Sequence, residues 1–339
     1  MSVPVRSSWP REDPCGDDSH RGRNPRDTGP PQGYKPTVTL TRRPYTDADL
    51  PAVVATVARW IAEAGRVGYD HVGEIPHRIY ENLRGRRPVG DTVHLWEDGQ
   101  GLAGLAITTR FGNAFDVFAA PRYRGSADEA AMIRFAYGNT AALTTPDPAD
   151  PFVCTDVFAA DIDRIGLLES EGFEEFRVWD DVRERSLHDP FDAPAAEGFR
   201  LRSARLEDAD GLAEARNTSF DENWTGEQYR AFMSAPGYDP AREIIAEAPD
   251  GRVAAFTVYW TDALNATGHF EPVGTHSAFH RRGLARAVML HAMRLMRDEG
   301  IATVTVNHNT VNVPARRLYE SLGFERAHRT LGFRRPYPS

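Results

Sequence analysis

The stretch Leu167-Leu168-Glu169-Ser170-Glu171-Gly172-Phe173 returns as Leu318-Tyr319-Glu320-Ser321-Leu322-Gly323-Phe324, displaced by 151 residues (318 less 167). That displacement is about one ordinary domain length, and a chain of 339 residues holds the unit twice. The order of elements repeats as well. In the first half the hydrophobic pattern predicts a strand at Val38–Leu40 and helices over Leu50–Ala64 and Pro76–Leu83. It then predicts a hairpin of Val93–Trp96 with Leu102–Thr108, a strand at Ala114–Ala119 and a helix at Asp128–Leu143. A strand at Phe152–Val157, a helix at Ile162–Ser170 and a last strand at Phe173–Val182 complete it. The second half runs through the same order from Phe199, with Thr225-Gly226-Glu227-Gln228 as a capping box and terminal strands near Phe324 and Thr330–Arg334. Two homologous α/β units, each with a mixed (α+β) sheet, are expected.

Composition sets the boundaries. Residues 1–36 are rich in Pro, Gly, Arg, Asp and Ser and predict a disordered tail. Residues 37–186 form the first unit. Residues 187–197, with Pro190 and Pro194 among polar neighbours, read as a linker, and residues 198–339 form the second unit.

In the second unit an apolar strand ending near Val273-Gly274-Thr275 passes through His280-Arg281-Arg282-Gly283 into a helix from Leu284 to about Glu299. Free backbone amides at a strand-to-helix turn, beside the positive end of a helix, suit a phosphate group. Gly283 leaves the backbone unobstructed, and Arg281, Arg282 and Arg286 add positive charge. The loop predicts a pyrophosphate cradle.

Two motifs around this cradle resemble those of the GCN5-related N-acetyltransferases (GNAT). The family's Gln/Arg-x-x-Gly-x-Gly/Ala loop is matched by His280-Arg281-Arg282-Gly283-Leu284-Ala285, with His280 in place of Gln or Arg. Its later Asn-x-x-Ala-x-x-Leu-Tyr-Glu-x-x-Gly-Phe signature is matched from Asn312 through Ala315, Leu318, Tyr319 and Glu320 to Gly323-Phe324. The resemblance covers residues 198–335 by motif and 37–186 by element order. The doubled arrangement resembles the mycothiol synthase-like, two-domain actinobacterial acetyltransferases.

The resemblance implies acetyl-CoA as cosubstrate and an acyltransferase acting on a small-molecule amine by direct transfer. Pyrophosphate is expected on the amides of His280, Arg281, Arg282, Gly283, Leu284 and Ala285, and pantetheine along Val273, Gly274 and Thr275, with Asn312 touching the same ligand. A backbone N–H near Val273 would face the thioester carbonyl as an oxyanion donor. Tyr319 is the candidate general acid for the departing thiolate, against the alternative of a core aromatic. Glu271 is the candidate base, against the alternative of an edge-strand carboxylate facing water; burial among Phe270, Pro272 and Val273 would raise its pKa. His269 reads as structural. Asp221, Glu222 and Trp224 precede the second hairpin and are candidates for holding a cationic acceptor, or else form a solvated loop with one packed Trp.

The first half departs from the pattern. Leu168 stands where the second half has Tyr319, and Ala120–Ser126 forms only a partial cradle. It is expected to be a non-catalytic partner that completes the acceptor pocket.

A net charge of −9 speaks against a nucleic-acid binder. No apolar run approaches a membrane span, and the N-terminus has no signal-peptide core, so a cytoplasmic monomer or homodimer is expected. Cys15 and Cys154 offer neither a disulfide framework nor metal-ligand spacing, and no metal is expected. A CoA-binding regulatory or scaffold protein without turnover is the alternative. An aminoacyl-transferase using charged tRNA fits the acidic balance less well.

Overall fold

The computed structural model describes residues 40–338 apart from 82, 83 and 85, and residues 40–339 form one compact unit. The predicted tail, the strand at residues 38 and 39, Cys15 and the end of the Pro76–Leu83 helix lie outside the described residues.

In the first half β1 (Thr41–Pro44) leads to α1 (Leu50–Ala64), which turns Val53, Val57, Trp60 and Ile61 inward at helical spacing. A helical segment follows, made of α2 (Glu74–Pro76) and a wider π-type turn over His77–Glu81. After α3 (Val89–Thr92) come β2 (Val93–Asp98), β3 (Gly101–Arg110) and β4 (Ala114–Ala119). Next are α4 (Ala127–Leu143), β5 (Phe152–Phe158), α5 (Ile162–Ser170) and β6 (Glu174–Ser186).

The second half repeats this order with β7 (Arg200–Ser203), α6 (Ala209–Phe220), α7 (Gly226–Met233), β8 (Glu243–Glu247), β9 (Val253–Asp262) and β10 (Thr267–Thr275). It closes with α8 (Leu284–Asp298), β11 (Thr303–Asn309), α9 (Val313–Ser321) and β12 (Glu325–Pro336). The Thr225–Gln228 capping box is formed. The two expected terminal strands are one continuous strand, β12, because along its length it finds partners in β6 and β5 of the first half.

The twelve strands form one sheet in the order β1-β2-β3-β4-β5-β12-β6-β11-β10-β9-β8-β7. The centre of that order is an exchange. β12, the last strand of the second half, lies between β5 and β6 of the first, with Leu331 opposite Val157 on one side and Val178 on the other. β6 in turn pairs along β11, from Ser186↔Thr303 to Asp180↔Asn309. Each half thus closes with a strand from the other. The alternation in β11, with Val304 and Val306 buried against α8 and Thr305 on the opposite face, gives both faces a layer to cover them.

Parallel neighbours separate at equivalent places in the two halves. β4 pairs β5 only at Ala114↔Cys154. β10 pairs β11 over Thr267–Phe270, and beyond Phe270 it shifts register and continues on β9 alone. Each separation leaves a V-shaped opening in the sheet.

Candidate active site

The second V is open. β10 runs past it with Val273, Gly274 and Thr275 opposite Thr257, Phe256 and Ala255. The His276 amide donates to the Ala254 carbonyl at 3.0 Å. Antiparallel bonding alternates, so the peptide groups of Val273 and Thr275 turn away from β9 toward the gap. The Thr275 carbonyl is met there by His280 Nε2 at 3.0 Å, which ties the loop to its strand.

The loop then places Gly283 at φ +73°, a conformation glycine adopts without strain, and a Cβ there would meet no atom within 4 Å. Among the described residues, none of the amides of Arg281, Arg282, Gly283, Leu284 and Ala285 donates to a protein acceptor. Five donors at the start of a 15-residue helix are therefore left without a protein partner. This arrangement fits a diphosphate. Arg282 stacks near Phe199 and Phe279, and Arg286 is paired with Asp192 at 2.7 Å.

Tyr319 projects from α9 beside His308 and Phe324, with ring centroids 5.7 and 6.1 Å away. It is 6 % exposed, and among the described residues no group bonds its hydroxyl. Burial, with the Glu271 and Asp180 carboxylates nearby, raises its pKa, so the phenol keeps its proton at neutral pH. Asn312 caps α9, its Oδ1 accepting from the Ala315 amide at 3.1 Å.

Glu271 sits on the far face of β10, one-third exposed, and burial together with Glu74 and Glu81 raises its pKa against the pull of His77 and His269. Its neighbours come from the first half. The segment Glu74–Glu81 packs on this face, and Gly73 permits the approach: a Cβ there would lie 2.2 Å from Trp260 Cβ. Trp260 Nε1 donates to the Glu271 carbonyl at 2.9 Å. His77 Nε2 lies 3.0 Å from Glu81 Oε2 and 3.6 Å from Glu271 Oε1. His269 is structural, held by Thr305 Oγ1 at 2.9 Å and Glu74 Oε1 at 2.6 Å. Glu74, His269 and Glu271 bring ligand-type atoms within 4.8 Å of one another. Glu74 is already engaged by Arg78 at 2.9 Å and by His269, so we read an ion-paired cluster and not a set of metal ligands.

The three expected acceptor residues are placed differently from one another. Trp224 is 4 % exposed among Tyr229 and Phe232, its Nε1 donating to Glu222 at 2.6 Å. Glu222 also accepts from Arg216 at 2.7 Å. Asp221 is exposed and ends α6 in the left-handed conformation. The structure thus holds Trp224 and Glu222 in internal contacts, and only Asp221 presents a carboxylate to solvent.

The first V keeps only a small cavity of about 20 Å³, between Asp116–Phe118 of β4 and Asp156–Phe158 of β5. Ala127 stands two places after Gly125, so the loop Arg122-x-x-Gly125-x-Ala127 keeps the full spacing, correcting its description as partial. What differs is the packing. The Gly125 amide donates to Glu129 Oε2 at 2.6 Å. Glu129 is fully buried and paired with Arg164, whose Nε is 2.9 Å from Glu129 Oε1 and whose guanidinium also donates to the Val117 carbonyl of β4. Arg124 joins Asp161 at 2.5 Å. At the equivalent positions the second half has Ala287 for Glu129 (a displacement of 158, as between Gly125 and Gly283) and Ala315 for Arg164 (151). An ion pair closes one groove where two alanines leave the other open. Asp116, which stands two residues after Ala114 as Glu271 does after His269, is locked by Arg110 at 2.5 Å and Arg78 at 3.2 Å.

The sequence reading missed His77, Glu81, Asp180 and the Glu129–Arg164 pair. Two signals for them were present: Ser126-x-x-Glu129 has capping-box spacing, and His77 and Glu81 stand four apart, as helical ion pairs do. Nothing local announced Asp180, which reaches the site through strand exchange.

Residues 209–324 match the model of the acetyltransferase (GNAT) family. Among curated relatives, a mycothiol acetyltransferase of Thermomonospora curvata is 38% identical over 104 residues, 30% of this chain and 34% of that protein. One of Segniliparus rotundus is 30% identical over 171 residues, 47% of this chain and 64% of the relative. The matches therefore span between a third and two-thirds of these relatives. Among solved structures, a tandem GNAT protein from the clavulanic acid biosynthesis pathway superposes with a TM-score of 0.61 at 14% identity, over 89% of this chain and 99% of that one. A GCN5-related N-acetyltransferase from Sphaerobacter thermophilus gives 0.58 at 21% identity, over 88% and 96%. The chain therefore has the tandem GNAT fold, and its residues 209–324 match the acetyltransferase (GNAT) family.

Proposed function

We propose that the protein transfers the acetyl group of acetyl-CoA to the amine of a small molecule, within the second V, in one ternary complex. The observation that carries this reading is the set of unpaired amides from Arg281 to Ala285 at the start of α8, beside the open β10–β11 gap.

The diphosphate of the cosubstrate would rest on those amides, and its pantetheine arm would bond the outward peptide groups of Val273 and Thr275. The acceptor amine attacks the thioester carbon. As the carbonyl oxygen gains charge, the Val273 amide donates to it. Glu271 takes the proton lost by the attacking amine, directly or through water. The carbon–sulfur bond then breaks, and the Tyr319 hydroxyl gives its proton to the leaving thiolate. No covalent enzyme intermediate is needed. Cys154, the one described cysteine, is buried, with its thiol pushed up to about 12 by that burial.

The acceptor would approach from the face covered by Glu74–Glu81, where the first half supplies the wall. The Glu271 carboxylate on that side favours a cationic amine, and the relatives' name, mycothiol acetyltransferase, brings amine precursors of mycothiol into the acceptor panel. The test follows thiol release from acetyl-CoA across a panel of amines. Amine-dependent release that requires Tyr319 supports the reading, and CoA binding with no acceptor anywhere in the panel would favour the scaffold alternative.

A further inference from the structure

We infer that His77, a residue of the first half, is a positioning residue for the base in the second half: it holds the Glu271 carboxylate in its ionised form and fixes its orientation toward the acceptor. The inference rests on the proposed reading of Glu271 as base. It goes beyond that reading by making catalysis in one repeat depend on a side chain of the other.

The geometry carries it. His77 is 4 % exposed, and its Nε2 lies between two carboxylates, Glu81 at 3.0 Å and Glu271 at 3.6 Å. The Trp260 ring lies against it edge-on, with centroids 6.3 Å apart, and Trp260 also grips the Glu271 backbone. Glu81 is fixed from behind by Arg216 of α6. The chain Arg216–Glu81–His77–Glu271 therefore runs from a buried arginine to the open V, alternating in sign. An opposite charge at this distance favours the ionised form of a carboxyl.

The remaining groups around the pair do not replace His77. Glu74 on its own segment is negative and paired with Arg78 and His269. Near Glu271 are also His269 on its own strand, Asp180 of β6 and Tyr319 of α9. Of these, only His269 can bear positive charge, and it is bonded to Glu74. Burial works against a charged imidazole at position 77, but Glu81, Glu271 and Glu74 outweigh it and the His77 pKa is raised.

Two measurements test this. In the first, amine-dependent thiol release is followed against pH for the wild type, His77→Gln and Glu271→Gln. The acid limb of kcat/KM in His77→Gln should move to higher pH by about one unit, since an opposite charge near a carboxyl shifts it by roughly one to three. The KM for acetyl-CoA should stay the same, because the cradle lies on another part of the sheet. An acid limb coincident with the wild type would overturn the inference. A fully active Glu271→Gln protein would instead overturn the reading of the base, and the inference with it.

The second measurement needs no turnover. Coupling between two titrating groups is reciprocal. The His77 ring resonances, titrated by nitrogen-detected NMR, should therefore show a lower midpoint in Glu271→Gln than in the wild type. An unchanged midpoint would overturn the inference even if no acceptor had been found.

Discussion

The Gly125 amide donates to the Glu129 carboxylate at 2.6 Å, while the amide of its counterpart Gly283 has no acceptor among the described residues. The two glycines share a left-handed φ, +70° and +73°. Loop conformation is therefore common to the repeats, and what separates them is whether the protein supplies its own anion. In the first half Glu129 takes up the Gly125 amide, and Arg164 takes up the Val117 carbonyl of β4; on the proposed reading these are the groups that phosphate and pantetheine would otherwise meet.

One CoA per chain follows. Opening the first groove with Glu129→Ala and Arg164→Ala together, which copies Ala287 and Ala315 of the second half, should create a weaker second site. Calorimetric stoichiometry reads both outcomes.

The same pair bears on stability. Breaking a buried ion pair by removing one partner leaves a buried charge unmatched and costs about 3–5 kcal/mol. Glu129→Ala alone should lower the unfolding free energy by that much, read as a lower urea midpoint at constant slope. Glu129→Leu with Arg164→Met should recover most of the loss, since apolar replacements of both partners are often neutral.

Tyr319→Phe keeps the ring among His308 and Phe324 and removes only the hydroxyl. General acid catalysis contributes roughly 10²- to 10⁴-fold, so kcat should fall by at least about a hundredfold, with CoA affinity unchanged. Steady-state thiol release alongside equilibrium CoA binding separates the two.

Asp180 gives a pH signature in stability. Burial, with Asp156 and Glu271 adding like charge, raises its pKa to about 7. The folded state then binds a proton that the unfolded chain releases near its ordinary value, so folding stability falls as pH rises from about 4 to about 7. Asp180→Asn lacks this loss. Its Tm should exceed that of the wild type at pH 8, with the gap closing near pH 4.

Much of this architecture was legible in the residues. The repeat Leu167–Phe173 and Leu318–Phe324 gave the doubling, because a helix closed by Gly-Phe needs the same residues each time it is built. Gly283 and Tyr319 were legible for a similar reason: a positive φ and a phenol hydroxyl belong to single residue types. The strand exchange was not legible. β6 and β12 have similar patterns, and a pattern says which face is buried, not which neighbour lies alongside. Asp180 was therefore invisible as a site residue. The Glu74–Glu81 segment read as an ordinary short helix, because its link to the site runs through partners nearly 200 residues away, His269 for Glu74 and Glu271 for His77. Trp224 and Glu222 were legible as a polar–aromatic pair, but their hydrogen bond to each other could not be read from their spacing.

The most direct measurement of the central claim is a calorimetric titration of CoA into the wild type and into Gly283→Val. The substitution adds a Cβ that meets nothing within 4 Å, so it leaves the core intact and strains only the loop. The account predicts one site in the wild type and affinity reduced at least about tenfold in the variant. Equal affinity in the two proteins, or no binding in the wild type, would contradict it.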